Sequence, residues 1–147
     1  MSVVAFREFG EPDKLACLAV FDANCPEYFA PNEREDYLRF LTPVPAGYTV
    51  CVSDGGVAGA FGVFPQRVNS ASLNWIMIAP EAQGLGIGSR IMALAVQQGR
   101  SMGAVRLQIA ASHKSAPFFC KFGAVKDAFI DNGWGKGMHR VDMTLQL

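Results

Sequence analysis

The segment that decides the fold reads Gln83-Gly84-Leu85-Gly86-Ile87-Gly88. It follows an apolar run at residues 73–79, which is typical of a strand buried on both faces. It opens a stretch with helical spacing of apolar residues, from about residue 88 to residue 102. Because a helix N-terminus carries unpaired N–H groups and a partial positive charge, a bare glycine backbone there predicts a seat for phosphate groups. A glycine-rich turn without a ligand explains the same residues about equally well.

The two better-known nucleotide motifs do not fit this segment. A P-loop needs Gly-Lys-Ser/Thr, whereas Gly88 is followed by Ser89 and Arg90. A dinucleotide fingerprint needs a third glycine where Ser89 stands, and an acidic residue about 20 positions later. Residues 104–106 read Ala-Val-Arg and carry no acid. The ligand therefore has to be identified from the rest of the chain.

Composition limits the classes of function. The 147 residues predict one domain spanning 1–147, and half of them are hydrophobic, which is enough for a full core. Thirteen basic and thirteen acidic side chains cancel, so no basic surface for nucleic acid is expected. No apolar run reaches the roughly 18 residues of a membrane span, and residues 1–8 lack the layout of a signal peptide. Four scattered cysteines and two histidines predict neither a zinc site nor a disulfide framework, and they favour a cytoplasmic location.

Periodicity and turn residues predict strands and helices around one sheet, which is a mixed α/β layout. Asn32 and Glu35 are interpreted as a capping pair, and Asp54-Gly55-Gly56 as a hairpin turn. Loops are predicted at 65–72 and 131–137. The predicted strands are 3–9, 48–53, 57–64, 73–79, 104–110, 125–130 and 139–147, and the predicted helices are 14–23, 32–41, 88–102 and a short one within 112–122.

At this point the chain resembles the GNAT superfamily, the Gcn5-related N-acetyltransferases. Gln83, Gly86 and Gly88 occupy the fixed places of that family's Q/R-x-x-G-x-G/A pattern. About 30 residues later, the run 115–124, Ser-Ala-Pro-Phe-Phe-Cys-Lys-Phe-Gly-Ala, is similar to the family's A-x-x-F-Y-x-K-x-G-F segment. The resemblance covers nearly the whole chain. It implies an α/β (α+β) fold with a single mixed, mostly antiparallel sheet of about seven strands flanked by helices.

The resemblance implies acetyl-CoA, or another acyl-CoA, as the donor, with no metal. The pyrophosphate would rest on the backbone of residues 84–89. The pantetheine arm would lie between two strands that splay apart, beside Met77 and Ile78, one of which would supply an N–H for the oxyanion. The residues expected to bind the donor are Met77, Ile78, Gln83, Gly84, Leu85, Gly86, Ile87, Gly88, Ser89, Ser112, Ser115, Phe118, Phe119 and Lys121.

Three positions depart from the family's pattern, and they leave the catalytic residues unassigned. Phe119 stands where a tyrosine often acts as the acid, Ser112 where an asparagine is usual, and Ala124 where an aromatic residue is usual. His139 and Ser115 remain as catalytic candidates, although a surface histidine and a helix-starting serine explain them too. Four acids lie in the first helical region, which in the family often borders the acceptor site, so any of them could be the base. They are Glu27, Glu33, Glu35 and Asp36. A solvated helix face with a capping box is the favoured interpretation.

The acceptor is expected to be an amine of a small molecule or a peptide. Its pocket would be built by the first helical region and the two loops, and lined by Phe29, Tyr37, Trp75 and Trp134. A homodimer is common in the family. An alternative is a catalytically silent acyl-CoA-binding or regulatory module of the same fold, which Phe119 favours. A domain that binds another nucleotide is a third hypothesis.

Overall fold

The computed structural model describes residues 3–147, which form one seven-stranded sheet with helices against it. The strand order is β1-β2-β3-β4-β5-β7-β6, and neighbours are antiparallel except β4 and β5, which run parallel. The strands are β1 (Val4–Glu8), β2 (Tyr48–Ser53), β3 (Gly56–Pro65), β4 (Ser70–Ile78), β5 (Arg106–Ser112), β6 (Val125–Gly135) and β7 (Met138–Gln146).

Four helices complete the fold: α1 (Lys14–Ala23), α2 (Glu33–Leu41), α3 (Ile87–Ser101) and α4 (Ala116–Cys120). Short 3-10 turns, Glu11–Asp13 and Pro80–Ala82, precede α1 and α3. None of the helices in residues 3–147 is long and apolar enough to cross a membrane.

The core lies between the sheet and its helices. Helix α3 buries one face, with Ile87, Ile91 and Ala95 at spacings of four residues, as its amphipathic pattern predicts. Helices α1 and α2 bring Phe21 and Leu41 to full burial. Full burial of an aliphatic or aromatic side chain of this size stabilises the fold by about 1.5–3 kcal/mol.

The pairing of β4 with β5 controls where a site can form. Their parallel register runs from Ser70 opposite Arg106 to Leu73 opposite Ile109, and it stops there. The last five residues of β4 therefore have no ladder partner on the β5 side. Because the two strands are parallel, their separated ends open at one edge of the sheet.

Several predicted boundaries need correction. β4 begins at Ser70, so the end of the predicted 65–72 loop belongs to the sheet. β6 runs on to Gly135 through most of the predicted 131–137 loop. The capping pair at the start of α2 is also wrong, because Asn32 makes no side-chain cap and its Nδ2 donates instead to the Trp134 carbonyl at 2.8 Å.

Candidate active site

A cleft of about 740 Å³ opens where β4 and β5 separate. The ends of both strands form its walls, and the N-terminal ends of α3 and α4 lie along it. The region between α1 and α2 closes one end, together with Trp134 from β6. The cleft therefore lies between the two strands that the family resemblance expected to splay apart.

The backbone of β4 is bent inside the cleft by a bulge. Trp75 has a φ of 50°, in the left-handed region, which is unfavourable for a bulky side chain. Its carbonyl oxygen accepts a hydrogen bond of 2.7 Å from the hydroxyl of Tyr48 on β2. This bond helps to hold the bulge, because the pairing of β4 with β3 slips at the same place. Gly59 of β3 is required nearby, since a Cβ there would lie 2.8 Å from the Met77 carbonyl oxygen.

The end of β4 presents one backbone amide to the cleft. The N–H of Ala79 donates to Ala58 of β3, so the N–H and carbonyl of Ile78 point to the opposite edge. The Ile78 carbonyl accepts the Nδ2 of Asn24 at 3.0 Å and the Nε2 of Gln83 at 3.4 Å. Of the two amides expected to serve an oxyanion, Ile78 and not Met77 therefore faces the cleft.

The N-terminus of α3 opens onto the cleft without a side-chain cap. Gly84 and Gly86 have φ values of 82° and 79°, and a Cβ at either would contact nothing within 4 Å. The glycines are therefore required by backbone conformation. The first turn of the 15-residue helix leaves its N–H groups without intrahelical acceptors, at the positive end of the helix dipole. Gly88 is required for another reason, because a Cβ there would lie 2.7 Å from the Phe118 ring.

The start of α4 is closed by two serines that bond to each other. The N–H of Ser112 donates to Ser115 Oγ, and the N–H of Ser115 donates to Ser112 Oγ, both at 3.0 Å. Their hydroxyl oxygens are 3.1 Å apart, and both residues line the cleft. Phe119 also lines it and is buried, and its ring carries no proton donor.

Glu33 is the one acidic side chain among the described residues of the cleft lining. It is 5% exposed, and burial raises its pKa from the usual 4.5 to about 7, although a backbone hydrogen bond opposes the rise. Its Oε2 accepts the N–H of Ala30 at 2.8 Å, while Oε1 has no donor among residues 3–147. Oε1 also keeps some exposure to solvent. Among residues 3–147, Ser70 Oγ is the one fully buried side-chain polar atom without a hydrogen-bond partner. The interpretation of Glu33 as part of a solvated face is therefore wrong.

Aromatic side chains form the walls beside Glu33. Trp75 packs against Phe29 at a centroid distance of 6.3 Å and against Tyr37 at 4.9 Å. Trp134 donates its Nε1 proton to the Ala111 carbonyl of β5 at 2.9 Å. The two tryptophans of the chain thus line the cleft from different strands, Trp75 from β4 and Trp134 from β6, with the Trp134 indole bonded to β5.

Most residues predicted for the site line this cleft. The donor residues that do so are Met77, Ile78, Gln83, Gly84, Gly86, Gly88, Ser89, Ser112, Ser115, Phe118, Phe119 and Lys121, and the acceptor residues are Phe29, Trp75 and Trp134.

Three predicted residues lie elsewhere. Leu85 is exposed beside the glycines, and Ile87 is buried beneath α3. Tyr37 is fully buried behind Trp75, where its hydroxyl is 2.8 Å from the Tyr48 hydroxyl, so it supports the cleft wall and does not contact the cleft. The 65–72 segment also lies outside the cleft lining.

The two histidines pack together away from this lining. Their ring centroids are 4.7 Å apart, and the His139 ring also packs against Phe129 at 5.4 Å. The Nδ1 of His139 lies 3.0 Å from the Asn132 N–H and 2.9 Å from an Asp131 oxygen. The first contact needs a lone pair and the second a proton, so the imidazole makes one of them at a time. The structure does not bring the candidate His139 to the cleft.

Sequence reasoning missed four polar lining residues, Asn24, Tyr28, Asn74 and Lys114, and favoured the wrong interpretation of Glu33. Asn24 ends α1 and donates to Val20 and Ile78, so it ties the helix to the end of β4. A polar residue ending an apolar helix before Cys25-Pro26 gives only a weak signal. Among residues 3–147, no cluster of three His, Cys, Asp or Glu side chains could hold a metal ion.

Comparison with known proteins identifies the family. The model of the acetyltransferase (GNAT) family matches residues 17–124. The chain belongs to the GNAT family. The resemblance on the two motifs is thereby confirmed. The comparison with curated proteins gave no match.

Solved structures show the same GNAT fold. A GNAT-family protein from Desulfovibrio desulfuricans is 25% identical, with 98% of this chain and 99% of that one covered and a TM-score of 0.77. Ard1 from Thermoplasma volcanium is 17% identical, with 98% and 97% covered and a TM-score of 0.83. The yncA protein of Salmonella typhimurium, solved with acetyl-CoA, is 15% identical, with 99% and 94% covered and a TM-score of 0.72. The predicted fold class is confirmed.

Proposed function

We propose that this GNAT protein transfers an acetyl group from acetyl-CoA to an amine of a small molecule or a peptide. The observation that carries the proposal is the cleft between β4 and β5, which runs to the uncapped N-terminus of α3. A long thin donor with phosphates at one end and a thioester at the other suits these features. The yncA neighbour solved with acetyl-CoA supports the choice of donor.

The donor would be held mainly by backbone groups. The pyrophosphate would accept hydrogen bonds from the first N–H groups of α3, and Gly84 and Gly86 leave that approach open. Lys121 is exposed at the cleft and would add a positive charge. The pantetheine arm would lie beside the end of β4, where hydrogen bonds to β5 have stopped. The N–H of Ile78 points to this side of the strand.

The same N–H would stabilise the transition state. When the amine nitrogen attacks the thioester carbon, the carbonyl oxygen becomes an oxyanion, and an amide aimed at that oxygen lowers the barrier. Asn24 helps to hold the end of β4 in place, because its Nδ2 donates to the Ile78 carbonyl at 3.0 Å. Collapse of the oxyanion breaks the carbon–sulfur bond and leaves the amide product and CoA.

Glu33 is proposed to take the proton of the amine. An amine with a pKa near that of lysine, about 10.4, is mostly protonated at neutral pH and cannot attack. A base with a pKa near the working pH is best placed to remove that proton, directly or through one water. Glu33 fits, because it lines the cleft, burial raises its pKa to about 7, and its Oε1 has no hydrogen-bond donor in residues 3–147. The reaction then releases one proton and one CoA for each amide formed.

No dedicated acid is needed for CoA to leave. A thiol has an ordinary pKa of about 8.5, so its anion is a tolerable leaving group near neutral pH. Phe119 supplies no proton, and the Ser112 hydroxyl already donates to Ser115 Oγ. We therefore propose that CoA leaves as the thiolate and that solvent protonates it afterwards.

Phe119 also favours the second candidate function, a silent acyl-CoA-binding module. Two measurements separate the candidates: calorimetric binding of acetyl-CoA, ATP and NAD, and thiol release from acetyl-CoA with a panel of amines. Binding of acetyl-CoA together with amine-dependent thiol release supports the enzyme. Tight CoA binding without turnover supports the silent module, and preference for ATP or NAD contradicts both. The cytoplasmic location and the homodimer stay predictions.

A further inference from the structure

We infer that the acceptor is a primary amine carried by a flat apolar body, with no carboxylate or other anionic group beside the amine. The inference rests on the proposed function, because it takes the cleft to be the site of acyl transfer. It follows from the residues at the end of the cleft formed by the α1–α2 region with Trp75 of β4 and Trp134 of β6, which we term the acceptor end. These residues are Asn24, Tyr28, Phe29, Glu33, Trp75 and Trp134.

The aromatic walls of the acceptor end are held from behind. The Trp75 ring packs against the rings of Tyr37 and Phe40, with centroid distances of 4.9 Å and 6.1 Å. The angles between the ring planes are 36° and 35°. Trp134 is pinned by its bond to Ala111, and the guanidinium of Arg140 lies 5.5 Å from its ring centre. Two indole rings held in the lining of the same cleft favour an acceptor with a planar apolar group, and indole faces also attract an ammonium.

The charges of the lining limit what such a group can carry. Glu33 is the single acid, and Lys114 and Lys121 are the only cations, among the described residues of the cleft. Both lysines are exposed and follow β5, on the segment that begins and ends α4. An acceptor carboxylate next to its amine would therefore lie near the Glu33 carboxylate, with no cation in the described lining at the acceptor end. The Arg140 guanidinium beside Trp134 is not in that lining and is paired with Asp142 at 2.7 Å. A polycationic acceptor is also disfavoured, because Glu33 is the only acid in the described lining to pair with its charges.

Three amines with the same ring isolate the effect of a carboxylate. Thiol release is measured with saturating acetyl-CoA and 2-phenylethylamine, phenylalanine or phenylalanine methyl ester, and n-butylamine tests the need for a flat body. We expect kcat/KM for 2-phenylethylamine to exceed those for phenylalanine and n-butylamine by at least about tenfold, from charge repulsion and lost ring contact respectively. The ester should lie closer to 2-phenylethylamine than to phenylalanine. Equal or higher kcat/KM for phenylalanine overturns the inference.

Binding can be followed without turnover, because both tryptophans of the chain are in the cleft lining. Their fluorescence is titrated with each amine in the CoA complex of the wild type, Glu33→Gln and Lys114→Gln. In Glu33→Gln, which lacks the negative charge, the dissociation constants of 2-phenylethylamine and phenylalanine should differ by no more than about threefold. In Lys114→Gln they should differ as much as in the wild type. A gap that survives in Glu33→Gln, or one that depends on Lys114, overturns the charge argument.

Failure of the inference can be told from failure of the proposed function. If no amine releases thiol while acetyl-CoA binds, the proposed function is wrong and the inference is wrong with it. If thiol is released, but best with amines that carry a neighbouring carboxylate, the proposed function stands and the inference alone is overturned.

Discussion

The Oε2 of Glu33 accepts a hydrogen bond of 2.8 Å from the N–H of Ala30, three residues earlier. This bond holds a buried carboxyl group at the edge of the cleft and leaves its second oxygen available. Burial raises the pKa of Glu33 to about 7, and the hydrogen bond limits the rise because it favours the charged form. Position and pKa together make Glu33 the candidate base, and the predictions begin there.

Glu33→Gln should lower kcat by about 10²–10⁴-fold, the usual contribution of a general base. In the wild type, kcat/KM should rise with pH through an apparent pKa near 7, because the carboxyl has to lose its proton before it can accept one. That limb should be absent in Glu33→Gln. Thiol release between pH 5.5 and 9 checks both. Glu35→Gln, an exposed acid on the same helix, is the matched control and should keep wild-type rates. An unchanged pH profile in Glu33→Gln would exclude this base.

The same residue should make stability depend on pH. Because the folded pKa of about 7 lies above the ordinary 4.5, the folded state binds more protons than the unfolded state between these values. The free energy of unfolding should therefore fall as pH rises from about 4.5 to 7, by up to about 3 kcal/mol at roughly 1.4 kcal/mol per pKa unit. Glu33→Gln keeps an oxygen for the Ala30 N–H and should lose this slope. Urea unfolding at pH 5 and pH 8 measures it, and a slope shared by both proteins would contradict the assignment.

Tyr48→Phe and Tyr37→Phe should have different consequences. Tyr48 gives its proton to the Trp75 carbonyl, so Tyr37 must donate to the Tyr48 oxygen. Tyr48→Phe breaks both bonds in the core and should cost about 1–3 kcal/mol, the range for an unsatisfied buried polar group. It should also raise KM for the amine, because the bulge that carries Trp75 loses its hydrogen-bond donor. Tyr37→Phe leaves that bond intact, so KM should stay near the wild-type value. Urea unfolding and thiol-release kinetics check the pair, and equal changes in KM would show that the Trp75 bond does not position the wall.

The sequence predicted the parts of the site whose chemistry is local. Gly84 and Gly86 announce a backbone of positive φ at the start of a helix, and α3 begins there. Asp54 and Gly55, with φ values of 52° and 79°, form the predicted hairpin turn for the same reason. Such features depend on a few neighbouring residues, so they can be recognised without the fold.

The features that the sequence did not predict depend on contacts between distant segments. Asn32 looked like a helix cap, but it bonds to Trp134, which is 102 residues away, and this contact joins the start of α2 to β6. Glu33 looked solvated, because an acid in the first turn of a helix usually is. Tyr37 was placed on an apolar helix face, but the periodicity could not tell whether that face covers the core or the cleft. The bulge at Trp75 has no glycine within β4 to mark it, because Gly59, which is required nearby, lies on the neighbouring strand.

Gly86→Asp and Gly86→Asn form a matched pair that tests the phosphate seat. Both side chains start at a φ of 79°, which Asn and Asp tolerate better than other residues, and a Cβ there meets nothing within 4 Å. The two variants should therefore unfold at similar temperatures. They differ by one negative charge beside the N–H groups proposed to hold the pyrophosphate. We expect CoA to bind Gly86→Asp at least about tenfold more weakly than Gly86→Asn, through charge repulsion. Calorimetry measures the two dissociation constants. Equal dissociation constants for the two folded variants would show that the pyrophosphate binds elsewhere. If the first turn of α3 binds the pyrophosphate, a negative charge at Gly86 has to weaken CoA binding.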